Sequence, residues 1–337
     1  MSIKEFDPFL IDLTLPQKKK VPSRVKKKKV IVIAGPTGVG KTALSLISAR
    51  ALGGEIISAD SMQVYQGMDI GTAKVPKEER REIPHHLIDV RTLSQTFNVV
   101  DFYREAHLAI REIVQKEHVP IVVGGTGFYI HALLFGPPKG PPSEPEVRAR
   151  LENEMKEVGP HALYDKLCHL DPDYAHTITR SDRHKIVRAL EIISLTNQKV
   201  SFFAEGASEY AELYDFRCWF IYTPKEILYP RIEKRCEEML VNKFLEEVKA
   251  LEKQGLRENL SASQAIGYRQ ALDFLRTDQS PQEKEKFIAL FKQASRRYAK
   301  RQFTWFRNEP LFRWLNVAEI SLDTTAEMII QDYELSF

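Results

Sequence analysis

The apolar positions of this chain fall into short continuous runs separated by longer stretches of mixed polarity. Val30-Ile31-Val32-Ile33-Ala34, Glu55-Ile56-Ile57-Ser58, Pro120-Ile121-Val122-Val123 and Arg217-Cys218-Trp219-Phe220-Ile221-Tyr222 are short and rich in β-branched or aromatic residues, so each reads as a strand. Runs without polar alternation suit strands covered on both faces. Between them, Thr42 to Leu52 (apolar at Leu44, Ile47, Ala51 and Leu52) and Val99 to Lys116 read as helices. Strand–helix alternation predicts an α/β fold, a parallel sheet flanked by helices, with ligands at the carboxyl ends of the strands.

The pattern changes at Gly136-Pro137-Pro138-Lys139-Gly140-Pro141-Pro142, which can hold neither a helix nor a central strand. It reads as a hinge into a helical block over 143–214, with helices at 145–157, 160–168 and 182–196. Because a strand follows at 217, the block is expected to be an inserted all-helical subdomain. It interrupts a core made of 30–142 and 215–337. Long helices are expected over about 225–254 and 282–306. Residues 1–29 hold nine Lys/Arg against three acids, and are expected to form a basic, disordered extension.

Composition narrows the class. At 337 residues and 43% hydrophobic, the chain can bury a sizeable core. A net charge of +3 does not imply nucleic acid by itself, so any such partner must be argued from where the charges lie. No apolar run approaches a membrane span, and the N-terminus lacks a secretory or transit pattern, so no membrane partner and a cytoplasmic protein are expected. Cys168, Cys218 and Cys236 are widely spaced, which argues against a disulfide framework or zinc finger.

The candidate chemistry begins between the first strand and the first helix. Gly35-Pro36-Thr37-Gly38-Val39-Gly40-Lys41-Thr42 matches G-x-x-x-x-G-K-[ST], the phosphate loop (P-loop). Backbone N–H groups, the helix dipole and the lysine charge converge there on a diphosphate or triphosphate. The strand 121–123 ends in glycines rather than the metal-orienting acid of a common ATPase. Asp60, just past the second strand, puts a carboxylate at the same edge of the sheet. It could take a proton from an incoming nucleophile, or simply cap the turn that follows. Small-molecule kinases and transferases with a phosphate leaving group both stay open at this point.

The residues around Asp60 are more specific. Asp60-Ser61-Met62-Gln63-Val64-Tyr65-Gln66-Gly67-Met68-Asp69-Ile70-Gly71-Thr72-Ala73-Lys74 resembles the signature of the bacterial tRNA dimethylallyltransferases. The resemblance continues through Pro84-His85-His86-Leu87, Val123 to Tyr129, Asp182-Arg183-His184-Lys185, Ile266 to Gln270 and Lys300 to Arg307, in collinear order over about 30–310. It implies transfer of a dimethylallyl group from dimethylallyl diphosphate to the exocyclic amine of the adenosine just 3′ of a tRNA anticodon. The phosphate loop then holds the leaving diphosphate, with Mg2+ on Thr42. Asp60 acts as general base, and Arg235 closes on the diphosphate. Arg231, one helical turn before Arg235, is a further candidate for that closure. The alternatives are a P-loop nucleoside or small-metabolite kinase, and a nucleotide-dependent RNA-binding switch. A monomer is expected.

The RNA side rests on clustered charge. Phe291 to Arg307 interleaves Lys292, Arg296, Arg297, Lys300, Arg301 and Arg307 with aromatic residues, and Arg180, Arg183, Lys185 and Arg188 make a second basic patch. From the signature loop, the resemblance adds tRNA contacts at Asp60, Ser61, Met62, Gln63 and Thr126. From the helical block it adds Arg148, His184, Lys185 and Arg188. From the C-terminal part it adds Gln264, Gly267, Tyr268, Arg269, Arg297, Lys300, Arg301, Gln302, Thr304, Trp305 and Arg307.

Overall fold

The computed structural model describes residues 27–203 and 213–335. The first part of the core contains β1 (Lys28–Ala34), α1 (Lys41–Leu52), β2 (Gly54–Ala59), α2 (Lys77–Glu82), β3 (His85–His86), α3 (Val99–Gln115), β4 (Val119–Gly124) and α4 (Gly127–Phe135). Three helices follow, α5 (Pro145–Leu170), α6 (Pro172–Ala175) and α7 (Arg183–Thr196). The chain then returns through β5 (Tyr214–Tyr222), α8 (Lys225–Val241), α9 (Phe244–Glu252), α10 (Tyr268–Phe274), α11 (Pro281–Phe306), β6 (Arg313–Asn316) and α12 (Leu322–Glu334).

The strands form one parallel sheet in the order β3-β2-β4-β1-β5-β6. The apolar run that predicts β1 is explained by its place: Val30 to Ala34 are all 0% exposed, covered on both faces. Gly124 of β4 pairs with Ala34 of β1 and with Ala59 of β2, so three strands end level. The loops that leave them, at 35–41, 60–74 and 125–126, therefore meet at one edge of the sheet.

Two strands have no counterpart in the sequence pattern. β3 and β6 are edge strands of two and four residues, too short to show periodicity. The basic extension is also shorter than expected, because β1 begins at Lys28 and Lys29 reaches the carbonyls of Tyr333 and Leu335. Residues 1–26, where the rest of that expectation falls, lie outside the described residues, as does 204–212 of the helical block.

In α5, Gly159 (φ 80°, ψ 170°) and Pro160 separate two helical stretches, matching the two helices read from the sequence. α5 and α7 enclose a small core of their own around Leu151, Met155, Leu163, Leu167, Ile186 and Leu190. Its neck is tied by Glu191, 0% exposed, which accepts from the Ser143 hydroxyl at 2.6 Å and the Glu144 N–H at 2.9 Å. The single helix expected over 225–254 is two. Lys243 adopts a left-handed φ of 68°, turning Phe244 into the main core and aiming α9 at the signature loop.

Candidate active site

The phosphate loop owes its shape to two glycines in the left-handed region, Gly38 (φ 80°) and Gly40 (φ 105°), conformations that cost any residue with a Cβ. They turn the chain into α1, whose first turn carries Lys41 and an exposed Thr42. The Lys41 ammonium donates to the carbonyls of Gly35 and Pro36, both at 2.9 Å. Desolvation at the foot of the loop, helped by the nearby Arg235 charge and opposed by Asp60, lowers the Lys41 pKa to about 7. Arg235 comes from α8 and approaches the Thr37 hydroxyl at 3.5 Å. Burial lowers the Arg235 pKa too, against the pull of Asp60. Two basic side chains and one carboxylate thus converge at the loop, an arrangement suited to an anionic ligand. Arg231, one turn earlier, lies on the exposed face of α8 and does not line the cavity described next.

Asp60 is placed for both roles the sequence allows. Its Oδ1 accepts from the N–H groups of Met62 (2.9 Å) and Gln63 (3.3 Å), capping the turn, while the carboxylate also lines a cavity. The cavity, about 260 Å³, has a polar wall of Thr37, Asp60, Ser61, Thr72, Arg235 and Arg301. The apolar part of the lining comes from Ile232, Cys236 and Met239 on α8, Ile266, and Phe291 on α11. A charged ligand with a small hydrocarbon tail fits this division. The helical spacing of 232, 236 and 239 marks them only as a buried face, so nothing local assigns them to a ligand.

The signature loop is held from behind. Glu247 on α9 accepts from three successive N–H groups, Asp69 (3.0 Å), Ile70 (2.7 Å) and Gly71 (3.2 Å), and from the Tyr268 hydroxyl at 2.6 Å. Lys74, with a side chain only 2% exposed, donates to the Tyr65 carbonyl and pairs with Asp69 and Asp89. Asp89 also binds Arg80 and so serves the loop.

The residues expected to meet RNA fall in several places. Arg297, Lys300, Arg301, Thr304, Trp305 and Arg307 form an exposed stripe along α11, and Arg269, Arg297, Arg301 and Gln264 border a groove opening beside the cavity. Ser61, Met62 and Gln264 line the cavity itself. His184 and Lys185 are exposed at the start of α7. Thr126 accepts from the Ser61 N–H at 3.2 Å, and Gln63 accepts from Ser58 at 2.9 Å and donates to the Thr72 carbonyl at 3.2 Å, so both brace the loop.

Other residues expected to meet RNA are engaged within the fold. Gln302 is 4% exposed and faces inward, taking the Thr37 N–H at 2.9 Å and donating to the Gly125 carbonyl at 2.9 Å. Tyr268, 0% exposed, and the buried Gly267 pack behind the signature loop and under Phe291. Arg188 and Arg148 belong to the neck: Arg188 donates to Glu191 at 2.8 Å and to the Pro141 carbonyl, and Arg148 binds Glu152 at 2.9 Å. Lys292 and Arg296 pair with Glu237 and Glu233 on α8, so they join two helices instead of extending the basic stripe. Tyr298, one of the aromatic residues interleaved in this stretch, reaches the site. It hydrogen-bonds Thr126 and Gln302, and burial together with the Asp60 charge raises its pKa well above the ordinary range.

The comparisons with known proteins point one way. The family model for IPP transferase matches residues 63–309. A tRNA dimethylallyltransferase of Protochlamydia amoebophila is 56% identical over 333 residues, covering 98% of this chain and 97% of the relative. One of Chlamydia pneumoniae is 48% identical over 314 residues, covering 92% and 91%. Among solved structures, the full-length tRNA isopentenylpyrophosphate transferase of Bacillus halodurans is 38% identical, with a TM-score of 0.66 over 91% of this chain and 95% of that one. A eukaryotic dimethylallyltransferase acting on tRNA is 29% identical, with a TM-score of 0.71 over 90% and 78%. None of these is named as a kinase, and that alternative loses its footing. With its greater part matched by one family model and nearly its whole length shared with relatives of one name, the chain belongs to the tRNA dimethylallyltransferase family.

Proposed function

We propose that this protein transfers the dimethylallyl group of dimethylallyl diphosphate to N6 of the adenosine 3′ of a tRNA anticodon, releasing diphosphate. The observation that carries this reading is the mixed lining of the cavity, which brings Asp60, Thr37 and Arg235 together with the apolar Ile232, Met239 and Phe291. An adenine amine is a weak nucleophile because its lone pair is shared with the ring. The reaction therefore depends on easy ionisation at the allylic carbon and on a stabilised leaving group. The C1–O bond breaks as the N6–C1 bond forms, its electrons leave with the diphosphate, and the surplus N6 proton passes to Asp60. Lys41, Arg235 and the loop N–H groups hold the departing charge.

The donor set suits Mg2+. Among the described residues no group of three His, Cys, Asp or Glu side chains could cage a metal. An ion bound mainly through substrate phosphates and water, with the exposed Thr42 hydroxyl as a protein ligand, is the usual habit of Mg2+. When bound it would neutralise part of the diphosphate charge.

The groove beside the cavity and the stripe on α11 are suited to the phosphates of an anticodon loop, whose target base must be turned out to enter the cavity. Incubation with tRNA and labelled dimethylallyl diphosphate tests the reading. Label is expected to enter tRNA, to be suppressed by chelation of Mg2+, and to be absent with labelled ATP. Phosphate transfer from ATP without prenyl transfer would overturn it.

A further inference from the structure

Gln302 sits on the same turn of α11 as the RNA-facing Arg301 but points the opposite way, into the sheet edge. Its carboxamide is used at both ends. Oε1 accepts from the N–H of Thr37, the first polar residue of the phosphate loop, and Nε2 donates to the carbonyl of Gly125, just past β4. The fit is close. A Cβ on Gly125 would lie 2.1 Å from Nε2 of Gln302, an impossible contact, so the absence of a side chain at 125 is what admits the amide. Thr37 in turn lines the cavity and meets Arg235 through its hydroxyl.

A loop that grips phosphate through backbone N–H groups usually aims them at the ligand. Here one N–H is taken by the protein instead, which fixes where the Thr37 hydroxyl stands. We propose that Gln302 is a positioning residue for prenyl transfer, holding Thr37 against the carboxyl end of β4 so that its hydroxyl faces the diphosphate beside Arg235. The inference deepens the function proposed above and rests on it. Gln302 touches no substrate in this arrangement. It acts through Thr37, and Gly125 is the third member of the lock.

The test uses the full chain and three variants. Gln302→Met keeps the length and removes the hydrogen bonds to Thr37 and Gly125, together with the one to Tyr298. Its KM for dimethylallyl diphosphate is expected to rise and its kcat to fall, together losing on the order of 10- to 100-fold in kcat/KM, the scale of a displaced site group. Its tRNA affinity should stay within about twofold of wild type. Gln302→Glu can accept from Thr37 but donates to Gly125 only when protonated. Its activity relative to wild type is expected to recover as pH is lowered, a profile that a packing role would not produce.

Gly125→Ala should be strongly impaired alone, yet Gly125→Ala with Gln302→Ala should be no worse than Gln302→Ala, since the clash has been removed. A lowered melting midpoint with unchanged kcat and KM in Gln302→Met would overturn the proposal, as would loss of tRNA affinity with an unchanged KM for the diphosphate. Binding of inorganic diphosphate, measured alongside, separates failures. If wild type transfers no prenyl group, the functional reading fails, and a weakened diphosphate affinity in Gln302→Met still reports on the lock.

Discussion

Asp60 is fixed in place and open to the cavity at once. By giving Oδ1 to two backbone N–H groups, it is held in a single orientation with the carboxylate on the cavity wall. Asp60→Ala is expected to reduce prenyl transfer by about 10²–10⁴-fold, the usual worth of a positioned base, while diphosphate binding survives. Asp60→Asn keeps the cap and cannot take the proton. Near-normal transfer by Asp60→Asn in single-turnover assays would exclude proton abstraction. Lys41 offers a second test at this scale. Its pKa, about 7 in the folded protein against 10.5 unperturbed, means that above pH 7 the empty site has largely lost the proton. Diphosphate restores the charged form, so binding should take up a proton and weaken as pH rises above 7. Titration calorimetry in buffers of different ionisation enthalpy reads that uptake, and Lys41→Ala should abolish it. The linked effect on folding has the opposite sense. Between about pH 7 and 10.5 the unfolded chain holds more protons at this lysine, so its contribution to the stability of the empty enzyme rises with pH.

Among the elements, α11 carries most of the argument. One face presents Arg297, Lys300, Arg301 and Arg307 to solvent, while Ser295, Tyr298 and Gln302 face the site. Removing Arg297 and Arg301 together should weaken tRNA binding and lower the salt slope of log K by about one to two. Filter binding across a salt series would show it, and an unchanged slope would mean that these side chains do not meet phosphate. The elements also mark what local sequence can and cannot reveal. The phosphate loop and Asp60 lie within one strand–turn–helix step of each other, so short patterns suffice to find them. Glu247 meets a loop 176 residues away and Gln302 meets Thr37 across 265, contacts that no local periodicity encodes. The break before α9 escapes notice because the left-handed residue is a lysine rather than a glycine. Arg188 and Arg148 also pair with carboxylates at the neck of the helical block, a second engagement that a run of basic residues does not announce.

Across the whole molecule, the end of the sheet opposite the site carries its own charge cluster. Glu55, whose side chain is 2% exposed, binds His86 at 2.6 Å, His118 at 2.7 Å and Lys116 at 3.1 Å. Burial pushes its pKa up, but the hydrogen bonds and charge of those three partners outweigh burial and hold it at about 2. A depressed carboxylate pKa stabilises the fold above the unfolded value of 4.5, and that contribution is lost as pH falls from there towards 2. Glu55→Gln should cost ~1–3 kcal/mol at neutral pH, a range kept modest because His118 and Lys116 can turn to water. Chemical denaturation at pH 7 and pH 3 would show the difference between variant and wild type shrinking in acid.

The sheet order has a further consequence for how the enzyme comes into being. β1, at the centre, is flanked by β4 from early in the chain and by β5 from beyond the helical block, and the Thr37 N–H waits for a glutamine 265 positions later. A chain growing from its N-terminus makes the phosphate loop near the start and the lock that sets it near the end.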